Sequence, residues 1–155
     1  MGDIKNINLN IDDRESFTID GDENKVIRLD VHDTNVVTRL TEALGRIKTT
    51  EGAWQKLQDL TEHGEDMTIE EMNEFSESFK KIEAEMRSHL DYAFDCEGMC
   101  DTILGNKSIF SSVNGNLKYE QIIDAITSVY EESIKSETAK LNKRKVAKKT
   151  AKYVK

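Results

Sequence analysis

Residues 68–94 read TIEEMNEFSESFKKIEAEMRSHLDYAF, and this stretch decides the fold. Its apolar residues recur at steps of three or four, which places them on one face of a helix. Thr68 stands three residues before Glu71, the spacing of a capping box at a helix N-terminus. We therefore predict a long central helix whose narrow apolar stripe must be covered by other parts of the protein. The stripe consists of Ile69, Met72, Phe75, Phe79, Ile82, Met86, Leu90 and Phe94.

Three short runs before this helix alternate apolar and polar residues, which is the period of a β-strand. The runs are residues 7–11, 17–19 and 26–31. Asp20-Gly21-Asp22-Glu23-Asn24 lies between the last two and predicts a hairpin turn. We expect a small antiparallel sheet of two or three strands within residues 4–31, packed on a helix because a lone hairpin is only marginally stable.

Two further helices are predicted, one on each side of the central helix. The first covers about 34–62, and Gly45 and Gly52 leave open whether it is one helix or two. The last covers about 117–139, after a turn signal at residues 114–116. A short helix is expected in the break that follows Cys96. The fold class is therefore mainly α with a small N-terminal antiparallel β-hairpin or sheet (α+β), with three or four helices around the long central one.

Charge divides the chain into an acidic body and a basic tail. Residues 140–155 hold eight of the 22 Lys and Arg residues and none of the 30 Asp and Glu residues. We predict a single domain over residues 1–139, followed by a C-terminal tail that is either helical or irregular. The tail is predicted to contact acidic protein surface or solvent rather than nucleic acid, because the acidic body repels phosphate. Its candidate partner-binding residues are Lys143, Arg144, Lys145, Lys148, Lys149 and Lys152.

The chemistry-bearing residues do not assemble into a known catalytic pattern. The sequence has no Gly-rich phosphate loop, no Gly-x-Ser-x-Gly elbow and no His-Glu-x-x-His motif. Asp20, Asp22 and Asn24 copy the start of a calcium loop, but Lys25 stands where that loop needs Gly. We therefore predict a protein that is not an enzyme, with no catalytic residue and no cofactor.

Cys96 and Cys100 lie four residues apart, close to His89. A structural zinc site needs four ligands, and the other His residues do not complete such a set. We interpret the pair as small, partly buried thiols, reduced in a cytosol because no export signal precedes them. No apolar run approaches the ~20 residues of a membrane span, so no membrane partner is predicted.

Three segments together resemble a family of small proteins of tailed phages and prophages. The first is residues 25–40, in which an alternating strand leads through Asp33 and Thr34 into a helix. The second runs from the Tyr92-Ala93-Phe94-Asp95 end of the central helix to Gly105. The third is a final helix that ends in a Lys-rich tail with a Tyr. These features are similar to those of tail assembly chaperones of long non-contractile-tailed (siphovirus-type) phages.

The resemblance implies a non-enzymatic protein that acts in the host cytoplasm during tail morphogenesis. Its implied partners are the tape-measure protein and the tail-tube protein, and the helical stripes also leave self-association open. Amphipathic helices offer a surface of the kind that a helical client binds. Two alternatives stay open from the sequence. One is a structural component of the virion tail, and the other is a nucleic-acid-binding or regulatory protein that acts through the basic tail.

Overall fold

The computed structural model describes residues 2–9, 11, 13–62 and 66–153, with side chains up to Lys145. In these residues the protein is mainly helical with a small antiparallel sheet, as the sequence predicts. Two strands, β1 (Glu15–Ile19) and β2 (Asp22–Leu29), precede the first helix, α1 (Val36–Glu62). They are followed by α2 (Ile69–Ala93), α3 (Met99–Leu104), β3 (Ser112–Val113), β4 (Asn116–Leu117) and α4 (Lys118–Tyr153).

The central stripe is covered on two sides. α1 and α2 form an antiparallel helical hairpin, and Met86, Leu90 and Phe94 are fully buried. The N-terminal part of the stripe lies closer to solvent, since Ile69 and Met72 are exposed while Phe75 and Phe79 are only half-buried. The core therefore lies at the end of the hairpin where α1 begins and α2 ends.

The predicted start of α2 is confirmed. The Thr68 hydroxyl accepts a hydrogen bond from the backbone N–H of Glu71 at 3.1 Å, which satisfies one of the donors that a helix N-terminus leaves unpaired. Glu70 and Glu71 lie in the first turn, where negative charge favours the helix dipole.

The sheet has two strands rather than three. β1 pairs with β2 in antiparallel fashion, with Phe17 opposite Ile27. Asp20 and Gly21 both have positive φ, which is the geometry of a tight two-residue hairpin turn. The calcium-like spacing thus forms an ordinary turn, in which the Asp22 carboxylate accepts a hydrogen bond from the Asn24 N–H at 2.9 Å.

The strand predicted at residues 7–11 is not found, and the first strand within the described residues begins at Glu15. The alternation is present, but Ile7, Leu9 and Ile11 are each at least 70% exposed. Arg14 anchors the following chain, since its guanidinium donates to the Asp95 backbone oxygen at 2.7 Å and to the Asp95 carboxylate at 2.9 Å. Alternation specifies which side chains share a face, whereas a strand also needs a neighbouring edge with which to pair.

α4 continues past residue 139 into the segment that the sequence leaves open as either helical or irregular. Its 36 residues correspond to about 54 Å of helix at ~1.5 Å per residue. Tyr119, Ile122, Ile126 and Tyr130 recur at helical spacing and are buried against the body. Beyond Glu137 every described side chain is exposed, so the basic segment extends from the body as a helix.

Candidate protein-binding surface

An open groove of about 230 Å³ lies between α1 and α4. One row of its side chains comes from the first half of α1 and the other from the middle of α4, with the end of α2 below them. Most of the lining is apolar, so the groove offers contact area rather than a cluster of reactive groups. Its lining residues are Val36, Val37, Leu40, Thr41, Leu44, Phe94, Thr127, Tyr130, Glu131 and Ile134.

Two aromatic residues hold the groove together. The rings of Phe94 and Tyr130 lie 5.9 Å apart at a tilted angle, a favourable arrangement for two aromatic faces. The Tyr130 hydroxyl also donates to the Phe94 backbone oxygen at 2.8 Å. Burial raises the pKa of Tyr130 to about 12, so the hydroxyl keeps its proton and remains a donor at neutral pH. This contact fixes α4 to the end of α2.

The start of α1 is fixed to the same end of α2. Arg39 pairs with the Asp33 carboxylate at 3.0 Å, and its Nε donates to the Ala93 backbone oxygen at 3.4 Å. The hydrogen bond from the Asn35 N–H is the main cause that lowers the pKa of Asp33 below its ordinary value. An ionised Asp33 therefore connects the α1 entry to Arg39, which sets one wall of the groove.

A partly buried ion pair on α2 positions the other wall. The Glu83 carboxylate accepts from the Ile109 N–H at 2.7 Å and from the Ser108 hydroxyl at 2.8 Å. Arg87 pairs with Glu83 at 3.2 Å and donates to the backbone oxygen of Lys107 at 2.7 Å. These bonds hold the loop that carries Phe110 and leads into α4.

Phe110 then connects this loop to both long helices. Its ring stacks on Trp54 of α1 at 4.8 Å and meets Tyr119 of α4 edge-on at 6.0 Å. α4 is therefore attached to the helical hairpin at two points, near Phe110 and near Phe94. The groove lies beside the second of these points.

The groove leaves two large apolar side chains without cover. Val37 is 65% exposed and Leu44 is 46% exposed, whereas Val36, one residue away, is buried. Val37 and Leu44 are separated by two helical turns, or about 10 Å along the axis. That spacing matches the rows of apolar residues on one face of a second helix.

The predicted partner-binding residues lie far from this groove. Lys143, Arg144 and Lys145 are exposed on the part of α4 that extends beyond the body. Within the described residues, no hydrogen bond or ion pair involves these three side chains. Lys148, Lys149 and Lys152 fall in the same helix, but their side chains lie outside the described set. Their role in binding a partner stays a prediction.

Both cysteines are buried and free. Burial raises the pKa of both thiols, and for Cys100 the nearby Asp91 carboxylate adds to the shift. His89 faces a different neighbour, since its Nε2 lies 3.0 Å from the Thr50 hydroxyl. The structure therefore does not bring His89 and the two thiols together as a set of ligands.

Among the described residues, no group of three or more His, Cys, Asp or Glu side chains is placed to hold a metal ion. In the same part of the chain, no helix combines the length and the apolar character that crossing a membrane requires. Comparison with models of known protein families, with curated proteins and with solved structures finds no match. Function is therefore inferred from the surfaces of the molecule.

The sequence contained only part of the signal for the groove. Val36, Val37, Leu40 and Leu44 recur at helical spacing in α1, which predicts an apolar face but leaves open which of its residues belong to the core. α2 covers one side of this apolar face of α1, and α4 covers only the edge of the other side. Part of the face therefore stays exposed. Val36 lies on the same helical face as the buried Ala43 and Ile47, whereas Val37 and Leu44 lie on the neighbouring face at the groove.

Proposed function

We propose that the protein is a non-enzymatic tail assembly chaperone-like protein that binds the tape-measure protein during phage tail morphogenesis. The observation that carries this proposal is the open apolar groove between α1 and α4. The client is named by the sequence resemblance, and the groove supplies a site of the chemistry that such a client requires. A tape-measure protein is a long helical polypeptide, so the segment bound would be an amphipathic helix.

The exposed side chains of the groove have enough apolar area to matter energetically. Complete burial of a Val or Leu side chain contributes about 1.5–3 kcal/mol relative to full exposure. Val37 and Leu44 are roughly half-exposed, so covering both would contribute on the order of 2 kcal/mol before the costs of association. Several such sites along one client helix would give an affinity suited to a reversible chaperone.

The groove is also pre-formed. Its walls are fixed by Arg39 and Tyr130, and its floor is the buried Phe94 ring. A rigid site loses less conformational entropy when it binds than a flexible one does. Thr41 and Glu131, which line the groove and are exposed, provide polar groups that can orient the client without filling the groove.

The experiment is co-expression of the full chain with the tape-measure protein of the same phage or prophage. We expect the two proteins to co-purify and the client to become soluble. Val37→Asp and Leu44→Asp should each weaken binding by about tenfold or more, since each places an unpaired charge against an apolar surface. Both positions are exposed in the free protein, so the variants should fold.

Thr38→Asp is the matched control, because it adds the same charge to an exposed neighbour on α1 that does not line the groove. It should bind the client like the unmodified protein. Failure of the client to co-purify, or equal effects of Thr38→Asp and Val37→Asp, would remove the proposal. Finding the protein in purified virions would instead identify it as a structural tail component.

A further inference from the structure

Opposite charges lie at the two ends of this molecule. Residues 59–77, here called the acidic tip, hold eight Asp and Glu residues and no Lys or Arg. Residues 140–155, here called the basic end, hold eight Lys and Arg residues and no Asp or Glu. The described part of the tip, residues 59–62 and 66–77, lies at the end of α1 and the start of α2, and the basic end up to Tyr153 is the last part of α4.

The path of α4 keeps these two regions apart. α4 begins beside Trp54 and Phe110, near the middle of the hairpin, and reaches Phe94 and Val36 at the end opposite the tip. It then continues in the same direction, away from the tip. At ~1.5 Å per residue, the acidic tip and the basic end are separated by roughly 40 Å. That exceeds the Debye length of about 8 Å at physiological salt, so the basic end cannot neutralise the tip of its own molecule.

The described charged side chains of both regions are exposed, including those of Lys143, Arg144 and Lys145 on the basic end. Every described acidic side chain in the tip is exposed. Glu77 pairs with Lys80, just outside the tip, at 3.5 Å in an arrangement that is itself exposed. The acidic residues concerned are Asp59, Glu62, Asp66, Glu70, Glu71, Glu74 and Glu77.

Each region also carries exposed apolar side chains among its charges. At the tip Leu60 is 64% exposed and Ile69 is 78% exposed, and on the basic end Leu141 is 54% exposed. Apolar contacts of this kind add burial to an interface that charge alone would leave weak and salt-sensitive.

The dipoles of α1 and α2 do not account for all of the negative charge at the tip. Glu70 and Glu71 suit the N-terminus of α2, but Asp59 and Glu62 lie at the C-terminal end of α1, which has no basic residue in its last turn. Negative charge there opposes the helix dipole. The tip therefore carries more negative charge than its own helices favour, and a basic partner would relieve it.

We propose that the basic end of one copy docks on the acidic tip of a second copy. The two charge sets are opposite in sign and equal in number, and each molecule presents them at its two ends. The contact is heterologous, so the pair of copies keeps one free tip and one free basic end after the first association. Assembly of this kind leads to a ring if the rotation closes and to a filament if it does not. This contact does not involve the groove and is independent of the proposed client.

The test is sedimentation velocity of the full chain, treated with nuclease, over a range of protein concentrations at ~50 and ~500 mM NaCl. We expect oligomers at low salt and at least about tenfold weaker association at high salt. Asp59→Lys with Glu62→Lys halves the net charge of the tip from −8 to −4, and Lys143→Glu with Lys145→Glu halves that of the basic end from +8 to +4. Each double variant alone should associate more weakly than the unmodified protein at low salt. An equimolar mixture should associate more strongly than either variant alone, because the unmodified basic end of the tip variant meets the unmodified tip of the basic-end variant.

Two controls separate docking from folding and from net charge. The tip variant should have a higher melting temperature, because Lys suits the C-terminus of α1, so its loss of association would not reflect unfolding. Lys48→Glu with Lys135→Glu changes net charge like the basic-end variant but lies outside both regions, and it should still associate. A protein that is monomeric at low salt, association lost on nuclease treatment, or variants that fail to associate when mixed would each overturn the proposal.

Discussion

Replacing Glu83 with Gln tests how the groove is positioned. The side chain is only 15% exposed, and its carboxylate accepts hydrogen bonds from Ile109, Ser108 and Arg87. Glu83→Gln keeps the shape and removes the charge. We expect the variant to fold, to unfold more easily, and to loosen the contact between α4 and the helical hairpin.

The magnitude follows from the three bonds. A hydrogen bond to a charged group contributes about 1.5–3 kcal/mol and a neutral one about 0.5–1.5 kcal/mol, so each bond loses about 1 kcal/mol. Arg87 keeps its second carboxylate, Asp101, at 2.8 Å, which limits the loss on its side. We expect the free energy of unfolding to fall by about 2 kcal/mol and the melting temperature by about 6 °C. Glu83→Ala, which leaves Arg87 and the Ile109 N–H without this partner, should cost about 3–5 kcal/mol.

Urea unfolding followed by circular dichroism measures the global effect. Fluorescence measures the local one, because Trp54 is the single Trp of the chain and stacks on Phe110, which this loop carries. Glu85→Gln is the matched control, since Glu85 is exposed on the same helix and should change stability by no more than about 0.5 kcal/mol. Equal stabilities for Glu83→Gln and Glu85→Gln, with unchanged Trp54 fluorescence, would refute the positioning role of the carboxylate.

Two further predictions concern titratable groups. Burial lowers the pKa of His89 below its ordinary value of 6.5, so the unfolded chain binds the proton first as pH falls. Neutral His89 therefore contributes fully to the free energy of unfolding above about pH 6.5, and this contribution is lost as pH falls below that value. In urea unfolding, His89→Gln should lose less stability than the unmodified protein between neutral pH and about pH 5. Identical pH profiles of the two proteins would contradict this prediction. Burial raises the pKa of Cys96 and of Cys100. A thiol reagent should therefore label neither cysteine at neutral pH until denaturant is added. Rapid labelling of the folded protein would contradict this, because it would show that the thiols are accessible.

Local signals predicted the helices well, because helical spacing and capping depend on neighbours in the chain. The Thr68 cap and the buried C-terminal half of the central stripe are examples. The same kind of signal failed at residues 7–11, where alternation is present and no strand forms. Pairing is a long-range property, and nothing in a short window states whether an edge is available.

Sequence patterns could not predict the candidate groove. Val36 and Val37 are adjacent and chemically identical, yet one is buried and the other is 65% exposed. Adjacent residues on a helix point in different directions, so Val36 lies on the buried face of α1 with Ala43 and Ile47, and Val37 lies on the neighbouring face at the groove. How much of that neighbouring face stays open depends on contacts far apart in sequence, such as the Tyr130 hydroxyl with Phe94. Periodicity identifies an apolar face but not which part of it another element covers.

The sequence by itself determined that this is a mainly helical protein with an amphipathic central helix, an acidic body and a basic C-terminal segment. These properties follow from composition and from spacing within single elements. Only the tertiary structure decided that α4 runs away from the hairpin turn, which leaves the groove open and places the acidic tip and the basic end at opposite ends of the molecule. The direction of a helix is set by packing between distant segments. In this protein the direction of α4 holds the acidic tip and the basic end of one molecule apart, which is why we propose that each meets its counterpart on a second copy.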